Sequence, residues 1–289
     1  MSRSIAIVGA GISGLVLAKE LVSRGHKVKI YEKSRGLGGR VASWRMSGSQ
    51  INLGVQHFEA SHPILKNLAK DAVKQGILVE QGDIYYPTRG INEWPKLLSV
   101  NLDIQREALV EKLSVNSDGC EVIGKNFETK SYDQVILAQP APQAAELLKK
   151  SNIDFPELNS VEYLAEILFF YKLKHQEGLI DLSDFEEVNR EGEIHSAKLK
   201  QNLVPHFLDL DKNQIAEHFK ETLNLDNLCE EFHFHKWKYS RVKKTILPEL
   251  QLKLSSKNIF LVGDYFFGDD LNAAVASVVN VLDTIGMMF

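Results

Sequence analysis

His235, Trp237 and Tyr239 alternate along the stretch HFHKWKYSR. Alternation of this kind puts side chains on one face of a strand. Such a face can wall a binding site: the indole and phenol rings pack on a flat ligand, and His235 can donate to a substrate carboxamide. Ordinary core packing explains the two rings equally well. His233 and His235 also form an H-x-H pair. Zinc needs three or four ligands, and no Cys or acid cluster completes a set, so no metal is expected. Gln56 and His57, after Gly54 and Val55 in LGVQHF, are further polar candidates whose plain alternative is a turn. Arg89 in YYPTRG reads as a solvated loop arginine, with a dinucleotide phosphate as its other partner.

A second set of residues has stricter spacing. In GAGISG, Gly9 permits a tight turn, Gly11 lets backbone approach a pyrophosphate, and Gly14 lets a helix pack closely on a strand. Ala10, Ile12 and Ser13 complete the turn, and the helix N-terminus behind them offers N–H groups and a positive dipole end to phosphates. Glu32 closes the next predicted strand, where its carboxylate can take the ribose hydroxyls; Lys33 and Ser34 follow it. An acid there disfavours a ribose 2′-phosphate, so NADP is not expected.

Directly downstream, SRGLGGR makes a second glycine turn, Gly36 to Gly39, between Arg35 and Arg40. A nicotinamide dinucleotide has no need of it. FAD is longer, and its ribityl chain and isoalloxazine must be carried further across the sheet. The second turn brings backbone close to the diphosphate and ribityl, and the arginines donate several hydrogen bonds to negative charge. Far along the chain Gly263-Asp264 ends another predicted strand, and Asp264 can accept from a ribityl hydroxyl. The helix start at Leu271, Asn272 and Ala273 can face the flavin N1/O2 edge, where negative charge grows on reduction. Val110 is assigned to the same site. The cofactor implied is non-covalent FAD.

The elements that must position these residues follow from periodicity. Ser4 to Val8 reads as a buried strand, Ile12 to Arg24 as a helix stopped by Gly25, and Lys27 to Glu32 as the next strand, together one βαβ unit. Tyr132 to Ala138 and Asn258 to Val262 read as further strands, and Leu271 to Ile285 as a helix. The fold class is α/β: a Rossmann-type FAD/NAD(P)-binding domain (1–75, 100–150 and 251–289) interrupted by a smaller α+β substrate domain (76–99 and 151–250).

Composition narrows the functional classes. The chain has 289 residues, 44% hydrophobic and 25% charged, and a net charge of −4. That leaves no basic footprint for nucleic acid. Cys120 and Cys229 stand far apart with no C-x-x-C, and no apolar run reaches the length of a membrane span, so a cytoplasmic enzyme without disulfides is expected.

The segments YEKSRGLGGRVAS, LGVQHFEA, ILAQPAPQAAELL, HKWKYSR and LVGDYF together resemble the renalases, small flavoproteins related to the amine oxidases. The resemblance spans more than half the chain. It implies non-covalent FAD and oxidation of wrongly reduced 2- and 6-dihydronicotinamides. Hydride would pass to flavin N5, and O2 would regenerate the flavin and yield hydrogen peroxide. The substrate would be a small molecule, a dinucleotide or an amine. Two features depart from the family: Asn272 and Ala273 stand where an acid and a glycine are usual, and His175 to Gln201 matches no family pattern. Three other readings remain: an amine oxidase or desaturase, an FAD-binding protein that has lost catalysis, and a plain NAD dehydrogenase.

Overall fold

The computed structural model describes residues 2–117, 119–174, 180–189 and 194–287. From the N-terminus the chain forms β1 (Ser4–Val8), α1 (Ile12–Ser23), β2 (Lys27–Tyr31), β3 (Ser43–Met46), β4 (Ser49–Asn52), β5 (Phe58–Glu59) and α2 (Pro63–Lys74). There follow β6 (Leu78–Gln81), β7 (Ile84–Pro87), α3 (Glu93–Leu98), β8 (Asp103–Gln105), β9 (Val110–Asn116), β10 (Gly119–Gly124), β11 (Lys130–Tyr132), β12 (Gln134–Leu137) and α4 (Ala141–Lys150). The remainder comprises β13 (Glu162–Leu173), β14 (Phe185–Asn189), β15 (His195–Leu199), α5 (Lys212–Thr222), α6 (Leu225–Leu228), β16 (Cys229–Lys244), β17 (Ile259–Leu261) and α7 (Leu271–Met287).

The chain divides into two compact units: residues 1–43, 54–162 and 242–289 form the first, and residues 44–53 and 163–241 the second. In the first, a parallel sheet runs in the order β17-β12-β1-β2-β8. Ile5, Ala6, Ile7 and Val8 of β1 are all buried, as the central strand of a parallel sheet covered on both faces requires. On one face Ile5, Ile7, Ile30 and Ile136 pack with Leu15 and Leu21 of α1 and with Val275 and Val278 of α7.

The expected segment boundaries move in two places. The strand expected over 132–138 is split, because Asp133 turns its carboxylate onto the Ser4 backbone N–H and hydroxyl, at 2.6 and 2.9 Å. The expected domain division also differs. Residues 76–99 join the first unit, because Leu78, Tyr85, Trp94 and Leu98 enter the same core as α1 and α7. Residues 151–162 and 242–250 do likewise, whereas the β3–β4 hairpin joins the second unit.

The second unit is an antiparallel sheet ordered β14-β15-β13-β16, together with the two-stranded sheet β3-β4. Alternation along β13 sends Ile167, Phe169 and Tyr171 into a core with Ile215 and Phe219 of α5. On the opposite alternation Phe170 meets Met46 and Leu53 of the hairpin, with Trp237 packed against them. The unmatched stretch 175–201 lies partly outside the described residues, which omit 175–179 and 190–193.

Candidate functional site

The first unit gathers the two glycine motifs beyond the carboxyl ends of β1 and β2. Gly9 has φ +109°, a conformation that favours glycine, and its N–H donates to Tyr31 O at 2.8 Å. A Cβ on Gly14 would lie 2.1 Å from Gly9 O, so only glycine lets α1 approach β1 this closely. Around the Cβ position of Gly11 there is no atom within 4 Å. No side chain caps α1 and no acid occupies its first turn, so the positive end of the helix faces that opening.

The second glycine turn lies against the first. Gly38 N–H donates to Ala10 O at 2.8 Å, and Gly11 and Gly38 form an isolated parallel bridge. Gly38 and Gly39 both have positive φ, and a Cβ on Gly38 would meet Pro95 and Val41 O at 2.5 Å. Arg40 turns its guanidinium to Asp264, Nη2 to Oδ2 at 2.7 Å. SRGLGGR thus links the start of the chain to the Gly263-Asp264 turn near its end. Asp264 is 3% exposed. Burial raises its carboxyl above the ordinary carboxylate value, and Arg40 opposes that shift.

Glu32 sits beside the first turn with both oxygens engaged: Ala10 N–H donates to Oε2 at 2.7 Å and Ser34 N–H to Oε1 at 2.8 Å. An ionised carboxylate offers about four acceptor positions, so capacity for ribose hydroxyls remains. The Glu32 carbonyl accepts from Ala108 N–H, which brings the chain leading into Val110 to this side. Lys33 turns instead to Gln143 on α4, at 3.0 Å, and Arg35 is exposed. Val55 N–H donates to Arg40 O at 3.2 Å, placing Gly54 and Val55 at the second turn. Gln56 folds back on Gly54 O, and His57, also exposed, has its ring 5.2 Å from that of Tyr86.

The helix start at α7 differs from its expected arrangement. Ala273 N–H is taken by the Asp270 carboxylate at 2.7 Å, an N-cap bond. The Asn272 side chain is a clasp: its Oδ1 accepts from Ser61 and His62 N–H, both at 2.9 Å, and its Nδ2 donates to Glu59 O and Asp270 Oδ2. The side chain that stands where the family has an acid therefore ties α7 to the start of α2.

Several residues that sequence reasoning missed complete this region. Ser277, fully buried on α7, accepts from Gly263 N–H at 2.8 Å and receives Gln251 Nε2 at 2.7 Å; Gln251 also donates to Leu261 O. This buried network holds the Gly263-Asp264 turn. Gln139, directly after β12, has a buried Oε1 with no hydrogen-bond partner. An N-cap pattern before α7 was a usable signal for Asp270. A lone hydroxyl in the apolar run AVASVV carried none for Ser277.

In the second unit β16 carries the other candidates. His235 and Trp237 have ring centroids 4.4 Å apart, the Trp237 Nε1–H donates to Leu53 O at 2.5 Å, and Tyr239 meets Tyr163 edge-on at 5.4 Å. Burial, then Lys212 and His233, push the His235 imidazole down to about 4, so it is neutral at neutral pH. Ser240 O–H donates to Glu166, which also pairs with Lys198 at 3.0 Å and Arg241 at 3.5 Å. Burial acts to raise the Glu166 carboxyl, but these partners outweigh it and leave it below its ordinary value. Among the described residues no group of three or more His, Cys, Asp or Glu gathers as a metal-binding set. Nor is any helix there long and apolar enough to cross a membrane.

The first unit's sheet and its glycine turns have the arrangement of a Rossmann-type fold. Residues 7–72 match the family model described as an NAD(P)-binding Rossmann-like domain. Among curated proteins, the chain is 30% identical over 168 residues to an L-amino-acid oxidase of Mus musculus, covering 57% of this chain and 25% of that protein. It is 39% identical over 79 residues to a zeta-carotene desaturase of Synechocystis sp., covering 27% of this chain and 16% of that protein. The chain thus spans at most a quarter of the length of these two relatives. Among solved structures, the fold is similar to a putative protoporphyrinogen oxidase from Exiguobacterium sp. 255-15, with TM-score 0.76, 14% identity and full coverage of both chains. It is also similar to a fatty acid isomerase from P. acnes, with TM-score 0.72 and 12% identity, covering 97% of this chain and 98% of that one.

The residues present fit FAD. The opening over Gly11 leaves room for a diphosphate at an uncapped helix end, Glu32 keeps acceptor capacity beside it, and the buried Gln139 Oε1 lacks a donor. The second glycine turn extends the cradle towards Arg40 and Asp264.

Proposed function

We propose that this chain is an FAD-dependent oxidoreductase of the amine oxidase and desaturase group, acting on a small molecule with O2 as electron acceptor. The observation that carries this reading is the pairing of the two glycine turns through Gly38 N–H and Ala10 O, with Arg40 of the second turn joined to Asp264. The names of the curated relatives support the broad class. FAD, when bound, supplies a two-electron acceptor. The α1 N-terminus and the backbone of Gly11 and Gly39 would hold its diphosphate, Glu32 would bind the ribose, and Asp264 would accept from the ribityl chain. Oxidation of an electron-rich donor calls for orientation and exclusion of water more than for an acid–base pair. Gln56, His235, Trp237 and Tyr239 are the residues proposed to orient the substrate. A neutral His235 would do so as a hydrogen-bonding group.

The renalase resemblance names a finer substrate within this class, a 2- or 6-dihydronicotinamide, and it rests on SRGLGGR, PAPQ and the W-x-Y pair. An anaerobic absorption titration of the FAD-loaded protein separates the readings. Bleaching of the oxidised flavin bands by borohydride-reduced NAD, and not by ordinary NADH, would support the finer one. Bleaching by an L-amino acid or simple amine would support the amine oxidase alternative. Protein that takes up no flavin at all would sink the proposal.

A further inference from the structure

A cleft of about 320 Å³ opens in the first unit, and none of the residues of the glycine turns lines it. It lies between β9, the outer strand of its three-stranded sheet, the residues that end α4 and the Ser255–Lys257 turn before β17. Buried Leu113 and Ile153 form its floor. Lys112, Ser114, Asn152 and Lys257 stand around them. Among the described residues no carboxylate pairs with either ammonium group, and neither the Ser114 hydroxyl nor the Asn152 side-chain amide is hydrogen-bonded. No acid lines the cleft, and Glu111, next to Lys112, turns instead to Lys125 at 3.6 Å. The negative end of α4 is closed off. Leu147 O, Leu148 O and Lys149 O each accept from a main-chain N–H of residues 151–153, so these carbonyls are already capped. Leu113 N–H donates to Ser151 Oγ at 2.8 Å and fixes the strand against the helix end.

We propose that this cleft binds a phosphate dianion, free or as the end of a phosphate monoester, held by Lys112 and Lys257 with Ser114 and Asn152 as uncharged donors. Two ammonium groups without carboxylate partners leave a local double positive charge in a chain whose net charge is −4. A dianion cancels both charges, and a carboxylate cancels one. The terminal oxygens of a phosphate can also accept from two cations and two neutral donors at once, and charge-assisted bonds of this kind are the strong ones. A lysine ammonium serves such a group as a compact point charge. The volume is at the small end of ligand sites. It suits a phosphate with a short organic group and excludes a dinucleotide. The site therefore stands whether or not FAD fills the cradle.

Phosphorus NMR titration of the full-length purified protein tests the site, in low salt at about pH 8, where the phosphate is dianionic. Inorganic phosphate and glycerol 2-phosphate are the two probes. Saturable binding is expected. Tighter binding of the monoester assigns an organic ligand, and equal binding assigns the free ion. Lys112→Gln and Lys257→Gln should each weaken binding about threefold, and together about tenfold, the scale of exposed ion pairs. Lys257→Arg should keep it, added salt should weaken it, and acetate should not compete. Both lysines are exposed, so the variants keep the fold. Absence of saturable binding or competition by acetate would overturn the site. So would unchanged affinity in the double variant, which would move the ion elsewhere, for instance to the open N-terminus of α1. None of these results bears on flavin uptake, which tests the FAD reading separately.

Discussion

The glycine cradle of the first unit and the aromatic face of the second are built from different materials. The cradle is made by backbone. Gly9, Gly14 and Gly38 matter because a Cβ has no room or the chain has positive φ, and the atoms that crowd them are mostly backbone. The aromatic face is made by side chains from remote segments: Trp44 meets His233, and Glu166 gathers Lys198, Ser240 and Arg241. A backbone site fails when an atom is added. A side-chain site fails when a partner is removed, because a buried polar group is then left without its bond.

The sharpest test of this contrast adds one carbon. Gly14→Ala would place a Cβ 2.1 Å from Gly9 O, and overpacking of that kind costs typically about 1–3 kcal/mol. The value should fall at the top of that range, with loss of flavin retention, read by denaturant unfolding and by visible absorbance after gel filtration. In the second unit the matching test removes a charge. Lys198→Met leaves Glu166 with fewer partners and should cost about 1.5–3 kcal/mol while leaving flavin content intact. Equal flavin loss in both variants would erase the distinction between the regions.

Asn272→Ala removes the clasp between α7 and the start of α2 and should lower stability by about 1 kcal/mol, since its bonds are partly exposed. Asn272→Asp should keep the bonds from Ser61 and His62 N–H but lose those to Glu59 O and Asp270, and so recover only part. Unchanged unfolding midpoints in both variants would show the clasp to be idle. The last test is a pH dependence. His235 is lowered in the folded chain to about 4 from an ordinary 6.5, so below pH 6.5 the unfolded chain binds the extra proton first. Its contribution to stability is therefore full above about 6.5 and falls as pH drops towards 4. His235→Phe should flatten the thermal midpoint between pH 7 and pH 5; an unaltered slope would place the dependence elsewhere.

The βαβ start of the first unit and four of the five strands of its parallel sheet were readable from periodicity, because buried parallel strands are short apolar runs between glycine turns; their order in the sheet was not. The position of 76–99 was not: its Tyr85 and Trp94 look like the aromatics of any second domain until they enter the α1 core. Nor was the role of Asn272, read as a substitution at a cofactor edge and found to be a clasp. Ser277 and Gln251 were silent because a lone polar residue in an apolar stretch carries no sign of its partner.

What the sequence by itself determined is the cradle: glycines at set spacing, an acid at the end of the second strand and a second glycine turn. Local chain geometry permits few alternatives to glycine where φ is positive or backbone meets backbone. What only the tertiary structure decided is which side chains meet across long separations. Arg40 with Asp264, Asn272 with the 59–62 turn, and Trp44 with His233 are such pairs. The physical reason is that hydrogen bonds, ion pairs and ring stacking act over a few ångströms in space, and no local periodicity records which distant residue the fold will bring within that reach.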